Sequence, residues 1–105
     1  MSQDLRDLVE GQAKLHQIFS NSSRLMILCL LTKQELSVGQ IAEQIGATLQ
    51  NTSQHLRLMK DKGVLTARRE GQTIYYQISN TEVGENCKQL LDIFSDQILT
   101  SSQEI

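Results

Sequence analysis

The chain has 105 residues, 39% of them hydrophobic and 21% charged, with no proline, no tryptophan and two cysteines. This is the composition of an ordinary globular protein, and it excludes a disordered, collagenous or disulfide-scaffolded chain. So short a chain makes one domain with a modest core, and any apolar stripe left over would be covered by a second copy. The longest apolar run, Leu25 to Leu31, falls far below the roughly 18 residues of a membrane span. The N-terminus carries neither the basic nor the apolar part of an export signal. The expected location is cytoplasmic, with Cys29 and Cys87 reduced.

The net charge of -2 hides a segregation. Between Thr48 and Ser79 the cations Arg57, Lys60, Lys62, Arg68 and Arg69 face only Asp61 and Glu70, a local balance of +3. Beyond it Glu82, Glu85, Asp92, Asp96 and Glu104 oppose Lys88 alone. One segment is suited to an anion and the other is not.

The first predicted helix spans Gln3 to Phe19, with Leu5, Leu8, Val9, Leu15, Ile18 and Phe19 on its apolar side. After "SNSS", Asn21 or Ser22 caps a second helix, about Ser23 to Thr32, apolar nearly all round and expected at the centre of the core. A short helix from Val38 to Ile45 ends at Gly46. Thr48 caps the next, Leu49 to about Lys62, which stops at Gly63. The two are joined by "GAT" into a helix-turn-helix. "VLTARR" and "TIYYQI", joined by "EGQ", read as a hairpin whose second strand packs Ile74, Tyr76 and Ile78 on one face. A long helix from about Thr81 to Thr100 closes the chain, with Val83, Cys87, Leu90, Leu91, Phe94 and Ile98 in a stripe.

The helix starting at Leu49 is unusual. Leu49, Thr52, Leu56 and Met59 share its packed side, yet the remainder carries Gln50, Asn51, Ser53, Gln54, His55 and Arg57 rather than the Glu and Lys of a solvated face. A DNA major groove admits one helix, where Gln or Asn pairs with adenine and Arg or His donates to guanine. Thr48 at the cap offers backbone N–H groups to a phosphate. Arg68, Arg69 and Gln72, near the hairpin tip, would reach the sugar-phosphate backbone or the minor groove. A plain soluble face is the alternative for this helix in isolation; the preceding helix-turn and the following basic hairpin favour DNA.

"SSRLMILCLL", "ELSVGQIAEQIG", "NTSQHLRLMKDKGVL" and "ARREGQTIYYQIS" together resemble, in order and spacing, the winged-helix repressors of the arsenic- and metal-responsive ArsR family. The resemblance covers roughly residues 14 to 99. It implies a mainly α fold with a β-hairpin wing (α+β), a winged helix-turn-helix in the order α-α-(short β)-α-α-β-β-α. Residues 1–105 would form one DNA-binding and dimerisation domain, with the helix-turn-helix at 38–62, the wing at 64–78 and dimerisation helices at 3–19 and 81–100. The implied partners are a second copy and double-stranded DNA with a near-palindromic operator, with no membrane involved and the inducer unknown.

In the metal-sensing branch thiolates stand where this chain has Ser37 and Gly39, and soft metals need such ligands. A zinc branch uses histidines on the last helix, which here has none. No metal and no cofactor is therefore expected. "ILCLL" is more similar to the sulfide- and redox-responsive branch, which pairs its first cysteine with a second one late in the last helix; Ser95 holds that place here. Cys87 lies 8 residues earlier, about 12 Å along a helix. If Cys29 faces Ser95, a disulfide to Cys87 would need the helix to slide by more than two turns. Core packing is the plainer role for both cysteines, with redox sensing through Cys29, or through Cys87 with it, as the alternative. A ligand-independent repressor and a winged-helix protein-interaction module are the other readings. An enzyme is not expected, since no base neighbours Cys29 and no phosphate loop or metal motif appears.

Overall fold

A computed structural model describes the backbone of residues 3–103 and the side chains of residues 3–93. Its elements are α1 (Gln3–Phe19), α2 (Ser22–Leu31), β1 (Leu36–Ser37), α3 (Val38–Ile45), α4 (Leu49–Asp61), β2 (Leu65–Glu70), β3 (Thr73–Ile78) and α5 (Glu82–Gln103). This is the expected winged helix-turn-helix order. Helix ends differ by one to three residues, with α2 starting at Ser22 and α5 running to Gln103.

Local signals set these boundaries. The Asn21 side chain accepts from the Arg24 N–H at 3.1 Å, and the Arg24 guanidinium reaches back to the carbonyls of Ile18 and Gln17 that α1 leaves unpaired. Ser37 and Gln40 form a reciprocal capping box at the start of α3. Gly46 ends α3 at φ 69°, a left-handed turn that costs glycine nothing and aims the chain into α4.

The sheet is antiparallel in the order β1-β3-β2. Leu36 pairs with Tyr76, and Leu65, Ala67 and Arg69 stand opposite Ile78, Tyr76 and Ile74. Alternation puts these seven on the core side and sends Thr66, Arg68, Glu70, Thr73, Tyr75 and Gln77 to the outer side. The core joins Leu15 and Ile18 of α1, Ile27, Leu28 and Leu31 of α2, Ile41, Leu56, Met59, Val64 and Leu65, with Cys87 and Leu91 of α5. Burying side chains such as Leu56 and Met59 stabilises the fold by about 1.5–3 kcal/mol each.

One packing expectation needs correction. Helix α2 is not buried all round: Ile27, Leu28 and Leu31 face the core, while Met26 and Cys29 are exposed. In α1 only Leu15 and Ile18 of the apolar side are buried, and Leu5, Leu8 and Val9 stand in solvent, as do Val83 and Ile93 of α5. The stripe expected on α5 holds at Cys87 and Leu91; the side chains of Phe94 and Ile98 lie outside the described residues. The radius of gyration, 14.9 Å, exceeds the about 13 Å of a compact domain this size. Helices reaching past the core, with their apolar sides bare, account for both observations.

A polar knot joins three elements. Buried Ser79, between β3 and α5, donates its hydroxyl to the Gly63 carbonyl at 2.7 Å. It also lies 2.8 Å from the Thr81 hydroxyl, which accepts from the Gly84 N–H at 3.2 Å. A Cβ on Gly84 would collide with the Ser79 carbonyl. The end of α4, the end of the wing and the start of α5 are thereby fixed to one another.

Candidate nucleic-acid interface

Helix α4 has two opposed sides. Thr52, Leu56 and Met59 are buried, and Gln50, Gln54 and Arg57 stand exposed on the far side, at the i, i+4, i+7 spacing of one row. Packing fixes the first row, so the second is presented as a rigid line of donors and acceptors. The Thr48 hydroxyl accepts from the Asn51 N–H at 3.0 Å and keeps its own proton for a further acceptor. Thr48 and Asn51 are exposed, and the first turn of α4 contains no acidic residue to repel a phosphate.

The remaining predicted residues occupy the flanks. Half-buried Ser53 lies toward the wing, where it shares a cleft with Gln72. His55 is on the opposite flank and half-buried; burial, and then the nearby Arg24 guanidinium, lower its pKa. At neutral pH its imidazole is therefore uncharged, with one nitrogen to donate and one to accept.

The two wing arginines part company. Arg69 is exposed on the α4 side of the sheet, opposite Ile74, with no ion-pair partner among the described residues. Arg68 is on the outer side, where Nη2 meets Glu35 Oε1 at 2.8 Å and Nη1 meets Glu70 Oε2 at 3.0 Å. Its Nε also donates to both Glu35 oxygens, and its guanidinium lies 4.6 Å from the Tyr75 ring centroid. The hydrogen bonds to Glu35 and Glu70 hold this guanidinium's pKa above even its ordinary value. The structure thus gathers Thr48, Gln50, Asn51, Ser53, Gln54, Arg57, Gln72 and Arg69 on the α4 side, and leaves Arg68 engaged elsewhere.

Sequence reasoning missed Leu49. Periodicity assigns it to the packed row, yet it is 61% exposed and lines the cleft with Ser53 and Gln72. The available signal was its position directly after the cap, where a helix begins before its core contacts do.

Cys29 is exposed and Cys87 buried. Burial pushes the Cys87 thiol up to about 12, with charge on Cys29 adding to the rise and Lys88 opposing it. Burial raises the Cys29 pKa as well. Among the described residues no group of three or more His, Cys, Asp or Glu could hold a metal ion, and no helix is long and apolar enough to cross a membrane.

A helix-turn-helix whose second helix presents amides, flanked by an antiparallel hairpin, defines a winged-helix DNA-binding domain. The family model for bacterial regulatory proteins of the arsR family matches residues 21–67, and the chain belongs to that family. It is 36% identical over 83 residues to the transcriptional activator HlyU of Vibrio cholerae, covering 76% of this chain and 77% of that protein. It is 30% identical over 95 residues to the biofilm growth-associated repressor of Xylella fastidiosa, covering 90% and 83%. The structure is similar to the homodimeric winged helix-turn-helix DNA-binding domain Mb0332 from Mycobacterium bovis. There the TM-score is 0.76 and the identity 31%, covering 98% of this chain and 90% of that one.

Proposed function

We propose that two copies of this regulator bind a near-palindromic operator and repress transcription from it, each inserting α4 into one major groove. The observation that carries this reading is the exposed Gln50, Gln54 and Arg57 row, held rigid by the buried Thr52, Leu56 and Met59 row. Base reading falls to Gln50, Asn51, Ser53, Gln54, His55 and Arg57, and backbone contact to Thr48, Arg69 and Gln72. Arg68 braces the outer side of the wing. The bare apolar sides of α1 and α5 supply the contact between copies, so residues 1–105 act as one unit, with 38–62 as the helix-turn-helix and 64–78 as the wing. The role is binding without catalysis, in the cytoplasm, and needs no metal.

Selection of bound genomic fragments, with the oligomeric state measured by light scattering, tests the proposal. A dimer that enriches a two-fold symmetric sequence is expected. A monomer, or enrichment of no sequence at low salt, would overturn it. Transcription in vitro from the selected fragment should fall as protein is added; a rise would reverse the assignment to that of HlyU, named an activator.

A second reading is favoured by the exposure of Cys29: oxidants or polysulfide release the operator through Cys29. Diamide should release wild-type protein and spare Cys29→Ser. No release in either form would remove this reading.

A further inference from the structure

Between the start of α4, the start of α3 and the wing lies an open cleft of about 450 Å³, lined by Val38, Leu49, Ser53, Gln72, Thr73 and Ile74 among others. None of the residues lining it is charged. Most other exposed large apolar side chains, Leu5, Leu8, Val9, Met26, Val83 and Ile93, belong to α1, α2 and α5, away from the helix-turn-helix. Leu49 instead stands among Thr48, Gln50 and Ser53, in the first turn of the helix, where a recognition helix meets base edges. An apolar side chain 61% in solvent gains stability only when something covers it.

We propose that Leu49 is a specificity-determining residue, seating a thymine 5-methyl group at the mouth of this cleft. The inference rests on the operator-binding reading above. A phosphate would find no cation among the lining residues, and a charged inducer no counter-charge. The thymine methyl is the apolar feature that the major groove displays, and it distinguishes T from the other bases without a hydrogen bond. Leu49, Val38 and Ile74 supply the apolar wall, and Ser53 and Gln72 border it with groups able to pair with the neighbouring base or sugar. Leu49 directly precedes Gln50 in the first turn of α4, so a groove that accepts Gln50 brings a base edge to Leu49.

Replacing each operator thymine in turn by uracil, symmetrically in both half-sites, removes the methyl and keeps every hydrogen-bonding group. For wild-type protein one thymine position, or two adjacent ones, should weaken binding about four-fold per half-site, and so about sixteen-fold per dimer, the value of one methyl's burial. Leu49→Ala should bind the thymine and uracil operators equally, and Leu49→Met should restore the preference. Since Leu49 is mostly exposed and outside the core, both variants should melt and dimerise close to wild type. A uracil scan without effect, or a thymine preference that survives in Leu49→Ala, would overturn the assignment and leave operator binding intact. Absence of any preferred operator would overturn both.

Discussion

Arg68 and Arg69 are adjacent and look equivalent by charge, yet the structure predicts opposite outcomes on their removal. Arg69 has no ion-pair partner among the described residues and faces the α4 side, so in the proposed bound dimer it would neutralise one phosphate per protomer. Arg68 is already neutralised by Glu35 and Glu70, so it releases no counterion from DNA. Each neutralised phosphate contributes about 0.9 to the slope of log affinity against log salt, so Arg69→Ala should flatten the dimer's slope by about 1.8. Between 50 and 200 mM salt, wild type should then lose about twelve-fold more affinity than the variant does. Arg68→Ala should leave the slope unchanged. Fluorescence anisotropy with a labelled operator across that salt range measures all three proteins. Equal flattening by both variants, or none by Arg69→Ala, would refute the division drawn from the ion pairs.

Three further outcomes follow from the packing. Gly84→Ala forces a Cβ against the Ser79 carbonyl and should cost at least about 3 kcal/mol, whereas Ser79→Ala, which leaves Thr81 within 3.4 Å of the Gly63 carbonyl, should cost about 1–3 kcal/mol; the reverse order in urea melts would contradict the knot. Thr52 buries a hydroxyl oxygen without a hydrogen-bond partner, so Thr52→Val should raise stability by about 1 kcal/mol, and a lower melting temperature would show that the hydroxyl is satisfied. At pH 8 a small alkylating agent should label Cys29 and leave Cys87 until denaturant is added, with equal labelling rates in native protein as the contrary result.

Local chemistry made most of the fold readable in the sequence. The amide-rich row of α4, its Thr48 cap and the glycine after α3 are set by residues a turn or two apart, and each stands where the sequence put it. Long-range placement was the part hidden. The local charge balance counted Arg68 as available, because Glu35 lies 33 residues away and belongs to the loop before β1. Leu49 was assigned to packing because periodicity gives the direction of a side chain but not how far along a helix the core extends. The same gap hid the exposure of Met26 and Cys29 on α2, where an apolar sequence faces both the core and the solvent.

The knot around Ser79 has a mechanical meaning. From Gly63 back to Thr48, α4 is a rod roughly 20 Å long, and a tilt of about 5° at its root would sweep the tip through about 1.7 Å. Hydrogen bonds to bases tolerate only a few tenths of an ångström. With Gly63, Ser79, Thr81 and Gly84 cinched together, the long final helix and the reading rod turn as one piece, and the distance between the two tips of a pair is decided where the pair is clasped.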